Sequence, residues 1–393
     1  MNGRKKVAIL LPWLKMGGTN MVALRFAREL SAYCDVTFIL SQHCGELLEQ
    51  FPPHTQLIVD EMRSFQDIFH EDWKRLRLRR LVQDALYYGK IKCKRDSVDN
   101  YKYLVQRNDL ICDTEFDCAI SYHGQSPERL LNLLYRIRAK KKVVWIHGEF
   151  RTPQEHCRKM NAYYKQADHI FFVSNPTMES FLRKFEYERS KCTVYYNPLD
   201  KEEIWSKAQA ECRPSFSKDY VNLLTVGRIS EEKGQDMIPL IARRLLDAGH
   251  RLRWYVIGDG DTRPALEQAI QAHGLEETVM LLGTQINPYC FMRACDIYVQ
   301  PSYTEGYSTT ICEAGMLGKA MVGTKPSGGI RDQITHETDG LIVDATPDGL
   351  TEGILRLLEH PTLRQSFETN IQKKNFEGKG ELQKFLSFLS SDD

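Results

Sequence analysis

The sequence lacks the features that mark a secreted, membrane-spanning or nucleic-acid-binding protein. Its 11 cysteines are scattered without a CxxC pair, which argues against a disulfide framework or a zinc site and favours reduced thiols in the cytoplasm. No apolar run approaches the ~20 residues that span a bilayer. The net charge is +1, so no overall field recruits nucleic acid or anionic lipid. The apolar stretch near the amino end precedes a glycine turn and a helical pattern, and we interpret it as a first β-strand rather than a signal peptide.

A further absence is the GxGxxG fingerprint of dinucleotide-binding folds, which makes a nicotinamide-dependent oxidoreductase the least favoured enzyme class. In its place, Met16-Gly17-Gly18-Thr19 follows the first candidate strand. Gly17 and Gly18 allow the backbone to approach a ligand closely, and Thr19 is expected to be the N-cap of the next helix. The alternative is a tight strand-to-helix turn with no ligand.

Short apolar runs alternate with longer helical patterns along the 393 residues, which predicts an α/β protein with parallel sheets and right-handed crossovers. The predicted domains are residues 1–196 and 197–375, with a final helix over 376–393 that crosses back to the first domain. The candidate strands of the first domain are Val7–Leu11, Val36–Leu40, Asp117–Ser121, Val143–Ile146, His169–Val173 and Thr193–Tyr196. Those of the second are Asn222–Val226, Arg253–Ile257, Val279–Leu282, Ile297–Gln300, Ala320–Val322 and Leu341–Val343.

The stretch EGYSTTICE at 305–313 is the most informative part of the chain, because it follows a strand-like run at 296–302. Open α/β sheets bind ligands at the carboxyl ends of their strands. Glu305 is expected in the loop before a helix and Glu313 one to two turns inside it. Backbone N–H groups at such a helix start favour phosphate, here around Gly306, Tyr307, Ser308 and Thr309. The alternative is a favourable interaction of the glutamates with the helix dipole, which accounts better for Glu305 than for Glu313.

Two other places carry candidate functional side chains. Arg228 and Lys233 follow the strand predicted over 222–226, where an arginine grips phosphate with two N–H groups and a lysine supplies a point charge. His147 follows the strand predicted over 143–146 and can exchange hydrogen bonds near neutral pH. The alternatives are a solvated charged loop for the first pair and a structural histidine for the second.

The order and spacing of these segments resemble the retaining glycosyltransferases of family 4, which have the GT-B fold. The resemblance covers nearly the whole chain except about residues 60–115. It rests on 305–313 and on VAILLPWLKMGGTNMVALRFAREL (7–30), VNLLTVGRISEEKGQDMIPLIARRL (221–245), YVIGDG (255–260) and GTQINPYCFMRACDIYVQPS (283–302).

This resemblance implies two Rossmann-like domains facing a cleft. It implies an enzyme that moves a hexose from a nucleotide diphosphate, most often UDP, to a hydroxyl with retention of configuration. Arg228 and Lys233 would hold the diphosphate in place of a metal ion, and no cofactor is expected. Glu313 would bind the ribose and Glu305 a hydroxyl of the sugar. His147 would lie beside the sugar, and Gly17 with Gly18 would contact the donor phosphates or the acceptor.

The run over 304–324 looks most like bacterial enzymes of surface-polysaccharide assembly, which implies a glycan or lipid-linked acceptor at the cytoplasmic face of the membrane. The basic amphipathic segment 73–95 is compatible with an anionic membrane surface or with a solvated face of the first domain. A second basic cluster, over 136–142, is interpreted as a solvated loop before a strand. Two other functions stay open, namely a nucleotide-sugar epimerase or hydrolase of the same fold and a catalytically silent sugar-nucleotide-binding scaffold.

Overall fold

The computed structural model divides the chain into two compact units. It describes residues 3–15, 17–52, 55–60, 98–150, 154–325, 328–378 and 380–391, with positions 62, 64, 67, 68, 70 and 74. Unit 1 comprises Met1–Val173, Met178–Tyr195 and Gly380–Asp393, and unit 2 comprises Ser174–Thr177 and Tyr196–Lys379. Apart from Lys74, the basic segment 73–95 lies outside the described residues.

Strands and helices alternate through both units. The strands are β1 (Lys6–Leu11), β2 (Asp35–Leu40), β3 (Gln56–Val59), β4 (Glu115–Ser121), β5 (Arg138–Ile146), β6 (His169–Phe172), β7 (Cys192–Val194), β8 (Val221–Val226), β9 (Leu252–Ile257), β10 (Val279–Leu281), β11 (Ile297–Gln300), β12 (Ala320–Thr324) and β13 (Leu341–Val343). The α-helices are α1 (Gly18–Leu30), α2 (Val98–Arg107), α3 (Pro127–Arg136), α4 (Gln154–Tyr164), α5 (Asn175–Leu182), α6 (Lys201–Ala208), α7 (Ile238–Asp247), α8 (Arg263–Ala272), α9 (Tyr289–Ala294), α10 (Thr309–Met316), α11 (Ile330–Gln333), α12 (Pro347–Glu359), α13 (Pro361–Ile371) and α14 (Glu381–Ser390). Short 3-10 helices cover Glu46–Gln50, Arg189–Lys191, Glu231–Lys233 and Gln235–Met237. No helix within the described ranges combines the length and apolar character that a bilayer-spanning segment needs.

Unit 1 is built on a parallel sheet in the order β3-β2-β1-β4-β5-β6-β7. Its inner strands β1, β2, β4 and β5 are buried towards their carboxyl ends, and all four residues of β6 are buried, as expected for a parallel sheet covered on both faces by helices. The carboxyl-terminal helix α14 belongs to this unit, where the Phe385 ring lies 5.2 Å from the ring of Phe26 in α1. The strand order changes direction between β1 and β4, so their carboxyl ends frame the crevice where such sheets bind ligands.

Unit 2 is built on a second parallel sheet in the order β10-β9-β8-β11-β12-β13. This is the doubly wound order of a Rossmann fold, with its change of direction between β8 and β11. Both strands are buried along almost their whole length. The predicted α/β class with two Rossmann-like domains is therefore confirmed.

The sequence pattern failed at two places in unit 1. Strand β3 was not predicted, although it contains the apolar run Leu57–Val59; it lies at the edge of the sheet, and none of its four residues is buried. The basic cluster 136–142 is not a solvated loop, because β5 already begins at Arg138. Arg136 is buried and forms an ion pair with Asp60 at 2.6 Å. The interpretation as a loop was wrong because Lys140 and Lys141 lie within β5, where they bind Asp117 and the carbonyl oxygen of Phe388, which are distant in the sequence.

Candidate functional site

The loops that follow β8 and β11 are bonded to each other at the point where the sheet of unit 2 changes direction. The backbone N–H groups of Tyr303 and Thr304 both donate to the carbonyl oxygen of Glu232, at 2.9 Å and 3.3 Å. These bonds bring the Arg228–Lys233 stretch and the Glu305 loop into one structure. The fold thus brings together the loops that carry Arg228, Lys233 and Glu305, which the sequence analysis predicted to form one site in the second domain.

Gly234 makes this close approach of the two loops possible. Its φ is +66°, and a Cβ added there would lie 2.2 Å from the carbonyl oxygen of Pro301. A side chain would therefore both strain the backbone and collide with the end of the β11 segment. The glycine fixes the turn that carries Lys233.

Lys233 and Glu305 form an ion pair. The Lys233 Nζ lies 2.9 Å from Oε1 and 2.7 Å from Oε2 of Glu305. The two side chains are 21% and 10% exposed. Sequence reasoning assigned the lysine to phosphate and the glutamate to a sugar hydroxyl, and it did not anticipate that the two would bind each other.

Arg228 is the exposed cation of the site. No ion pair or hydrogen bond involves its guanidinium within the part of the chain that the structure describes, whereas its carbonyl oxygen accepts a hydrogen bond from Gln235 Nε2 at 2.8 Å. Gln235 is buried, so the backbone of Arg228 is anchored while its side chain stays available. Such a guanidinium suits a phosphate, which it can bind through two parallel N–H bonds.

The amino end of α10, which follows the Glu305 loop, provides backbone N–H groups. Ser308 is its N-cap, and the hydroxyl oxygen accepts a hydrogen bond from the N–H of Ile311 at 3.3 Å. Thr309 begins the helix, and the first-turn N–H groups have no partner inside the helix, which makes this end attractive to anions.

Two hydrogen bonds and a contact between aromatic rings fix the Gly306–Tyr307 part of the loop. The carbonyl oxygen of Gly306 accepts hydrogen bonds from Ser174 Oγ at 2.7 Å and from Thr177 Oγ1 at 3.5 Å. The ring of Tyr307 packs against that of Tyr196 with 5.3 Å between centroids. Burial raises the pKa of Tyr307, so its phenol stays neutral.

Gln333 is a supporting residue that sequence reasoning missed. Its side chain is fully buried, and its amide donates to the carbonyl oxygen of Ser308 at 2.5 Å and accepts from the Ser308 N–H at 3.1 Å. The N–H of Gly329 also donates to the carbonyl oxygen of Glu305 at 3.2 Å. The glycine pair at 328–329 is the sequence feature that could have indicated this contact, because a Cβ at Gly329 would lie 1.9 Å from the Gly306 carbonyl oxygen.

Glu313 lies in the second turn of α10 and is 8% exposed. Its Oε1 accepts a hydrogen bond from the hydroxyl of Tyr289 at 3.2 Å. Tyr289 begins α9, and no sequence pattern singled it out. The pairing holds the carboxylate in one orientation, and its assignment to a ribose stays a prediction.

The remaining predicted residues lie in unit 1. Helix α1 begins at Gly18 with Gly17 as its N-cap, so the expectation that Thr19 caps it was wrong. The reason is that Thr19 already lies in the first turn, and no side chain caps this end. The φ of Gly17 is 164°, an extended value that any residue adopts, so backbone freedom does not require a glycine there.

His147 follows β5, where its ring lies 4.6 Å from the ring of Tyr122. Its Nε2 is buried without a partner among the described residues, and burial holds the pKa of His147 well below the ordinary value. His123, at the end of β4 and 6.1 Å from His147 between ring centroids, was not predicted. Burial lowers the pKa of His123 to about 4, so both imidazoles are neutral at physiological pH.

The structure therefore groups most candidates and leaves others apart. Arg228, Lys233 and Glu305 share one structure in unit 2 with Gly306, Tyr307, Ser308, Thr309 and Glu313. Gly17, Gly18 and His147 belong to unit 1. Among the described residues, no three His, Cys, Asp or Glu side chains are grouped so that they can hold a metal ion, and binding without a metal stays a prediction.

Comparison with known proteins gives matches over the same unit and over the whole fold. Residues 209–374 match the sequence model of the family described as "Glycosyl transferases group 1". A Campylobacter jejuni protein, N-acetylgalactosamine-N,N'-diacetylbacillosaminyl-diphospho-undecaprenol 4-alpha-N-acetylgalactosaminyltransferase, is 28% identical over 212 residues, which are 54% of this chain and 56% of that protein. The chain thus spans a little over half the length of the first curated relatives it matches.

Two solved structures match almost the full chain. Anabaena HepE, in complex with UDP and glucose, has a TM-score of 0.74 at 19% identity, with 98% of this chain and 100% of that chain covered. Sucrose-phosphate synthase from Thermosynechococcus elongatus has a TM-score of 0.70 at 15% identity, with 98% of each chain covered. Residues 209–374, which lie within unit 2, are therefore similar to the group 1 glycosyltransferases, and the two Rossmann-like units have the fold of these solved structures.

Proposed function

We propose that the chain is a retaining glycosyltransferase that moves a hexose from a nucleotide-diphosphate sugar, with UDP as the nucleotide, to a hydroxyl of a glycan or lipid-linked acceptor. The observation that carries the proposal is the joined pair of loops after β8 and β11. These loops carry Arg228, Lys233 and Glu305, and the second of them leads into the amino end of α10. Two cations and a helix start suit a diphosphate, and a carboxylate suits sugar hydroxyls.

The reaction breaks the bond between the anomeric carbon and the oxygen of the diphosphate, and the bonding electrons go to that oxygen. Arg228 and Lys233 stabilise the charge that grows there more in the transition state than in the ground state, which lowers the barrier. The acceptor oxygen bonds to the anomeric carbon on the same face. Its proton passes to the departing phosphate, so no protein base is required and the anomeric configuration is retained.

Glu313 is assigned to the ribose of the donor. The hydrogen bond from Tyr289 occupies one carboxylate oxygen and orients the other. His147 is assigned to a hydroxyl of the substrate through Nε2, which is buried without a partner among the described residues. Gly17 and Gly18 are assigned to the phosphates or to the acceptor.

The acceptor class is proposed from the Campylobacter relative, whose name specifies an undecaprenol diphosphate-linked sugar as its acceptor. By analogy we propose a lipid-linked acceptor for this chain, in surface-polysaccharide assembly. We place the reaction at the cytoplasmic face of the membrane, with the basic segment 73–95 as the part that contacts anionic lipid.

The test is to incubate the protein with UDP-glucose, UDP-galactose and their N-acetyl forms, with EDTA, and with or without an undecaprenyl diphosphate-linked sugar. We expect transfer only with acceptor, and a product whose anomeric configuration by NMR equals that of the donor. Loss of the sugar without acceptor identifies a hydrolase, and an isomerised donor identifies an epimerase. Nucleotide binding with no turnover of any donor identifies a scaffold.

Matched arginine variants test the assignment of the site. Arg228→Ala should abolish most transfer. Arg251→Ala is the control, because Arg251 is exposed in the same unit but immediately precedes β9, at the opposite edge of the sheet. Equal loss of activity in both variants contradicts the proposed position of the phosphates.

A further inference from the structure

The ion pair between Lys233 and Glu305 joins two groups to which the proposed function gives different ligands. A single ammonium contacts both carboxylate oxygens, at 2.9 Å and 2.7 Å. The carboxylate is only 10% exposed, so little solvent is available to replace the ammonium. The cation that would bind phosphate is therefore neutralised by the carboxylate that would bind the sugar.

A sugar-free nucleotide diphosphate meets an obstacle at this pair. If Lys233 stays on Glu305, the arriving phosphate faces a lysine whose charge is already balanced by an adjacent carboxylate. If Lys233 turns to the phosphate, the carboxylate is left without its cation in a largely buried position, and uncompensated buried charge is strongly unfavourable. Arg228 differs because it has no partner to give up within the described residues.

A sugar attached to the diphosphate removes the obstacle. Its hydroxyls donate hydrogen bonds to the Glu305 carboxylate at the moment when Lys233 leaves it. Hydrogen bonds to a charged acceptor are among the stronger ones in proteins, so they can compensate for the lost ammonium. Each half of the donor thereby makes binding of the other half easier.

We propose that the Lys233–Glu305 ion pair is an exchange contact, which couples phosphate binding by Lys233 to sugar binding by Glu305 and so discriminates a nucleotide-diphosphate sugar from the sugar-free nucleotide diphosphate. This inference rests on the proposed function and names a specificity determinant of the same site. After transfer the sugar is gone, the ion pair reforms, and the product nucleotide loses Lys233. The contact therefore also favours product release.

The experiment is calorimetric titration of wild type and Glu305→Gln with UDP and with UDP-glucose. Glutamine keeps the size of the side chain but releases Lys233. We expect UDP to bind about 10-fold more tightly to Glu305→Gln, which corresponds to about 1.4 kcal/mol. UDP-glucose should not bind more tightly to the variant, so the Kd for UDP divided by the Kd for UDP-glucose should fall about 10-fold. Adding Lys233→Met to Glu305→Gln should remove the gain for UDP.

Glu381→Gln is the matched control. Glu381 is also 10% exposed and also binds one lysine through both oxygens, since Lys384 Nζ lies 2.8 Å from each, but the pair belongs to unit 1. This variant should leave both Kd values unchanged. Thermal unfolding of each variant verifies that the chain is folded.

A measurement on the wild type alone keeps the inference testable if Glu305→Gln does not fold. Saturating free glucose should raise the affinity for UDP, and UDP should raise the affinity for glucose by the same factor, since coupling between two sites is reciprocal. The exchange contact is overturned if Glu305→Gln binds UDP no more tightly than wild type, if it gains equally for UDP-glucose, or if glucose and UDP bind independently. Failure of the wild type to bind either nucleotide instead contradicts the proposed function.

Discussion

The clearest structural prediction concerns Gln333, which no substrate is proposed to touch. Its amide bonds both the N–H and the carbonyl oxygen of Ser308, and it is fully buried. Gln333→Met keeps roughly the volume of the side chain and removes both hydrogen bonds. Each buried backbone group that loses its partner costs about 1–3 kcal/mol, so the observed conformation of the loop that ends at Ser308 should be destabilised by about 2–6 kcal/mol.

Only part of that cost should appear in nucleotide binding, because the loop can find other partners when it moves. If about 2–3 kcal/mol is needed to restore the bound form of the loop, the Kd for UDP rises by about 30-fold to 150-fold. The assay is calorimetric titration with UDP, together with urea unfolding to measure the change in stability. Both quantities should change in Gln333→Met.

Asn222→Leu provides the control. Asn222 is also a buried amide, and its Nδ2 donates to the carbonyl oxygens of Ser217 and Tyr220, both at 3.0 Å. It lies in β8 near the amino end of the strand, away from the candidate site. Asn222→Leu should lower stability and leave the Kd for UDP unchanged. Support of the nucleotide-binding loop by Gln333 is contradicted if Gln333→Met loses stability but binds UDP as well as the control does.

Three further predictions follow from single contacts. Gly234→Ala should destabilise unit 2 by at least about 1–3 kcal/mol in urea unfolding, because φ is +66° and the added Cβ would lie 2.2 Å from the Pro301 carbonyl oxygen. An unfolding midpoint equal to that of the wild type contradicts this prediction. Tyr289→Phe should weaken UDP binding by roughly 2-fold to 10-fold, since Glu313 loses a hydrogen bond of about 0.5–1.5 kcal/mol. An unchanged calorimetric Kd for UDP argues against a contact between Glu313 and the ribose. Burial lowers the pKa of His123 from 6.5 to about 4, so the unfolded chain binds the extra proton. Stability should therefore fall as pH drops from 6.5 towards 4, and His123→Gln should flatten that part of a pH series of unfolding curves.

The sequence was a good guide to the fold because parallel strands buried on both faces are apolar runs that stand out. Strand β11 and strand β13 were predicted with the bounds that the structure has, Ile297–Gln300 and Leu341–Val343. Strand β3 was missed although its Leu57–Val59 run has the same three residue types as β13. Strands in the buried core can be predicted from the sequence alone, whereas a short apolar run at the edge of a sheet becomes a strand only through a neighbour elsewhere in the chain.

The candidate site was only partly legible for the same reason. Arg228, Lys233 and Glu305 stand directly after strands, so their gathering followed from the topology. The ion pair between Lys233 and Glu305 spans 72 residues, and the support of Ser308 by Gln333 spans 25. Contacts between side chains so far apart are set by tertiary packing, which the spacing of motifs does not reveal.

The proposed donor site is tested most directly by calorimetric titration of wild type and Arg228→Ala with UDP, GDP and ADP in the presence of EDTA. We expect the wild type to bind UDP without a metal and Arg228→Ala to lose most of this affinity. A thermal shift can verify the binding, since a ligand at ~100 times its Kd adds about 2.7 kcal/mol of stability. If no nucleotide binds the wild type, or if UDP binds equally well to Arg228→Ala, the assignment of the loops after β8 and β11 to the donor phosphates is contradicted.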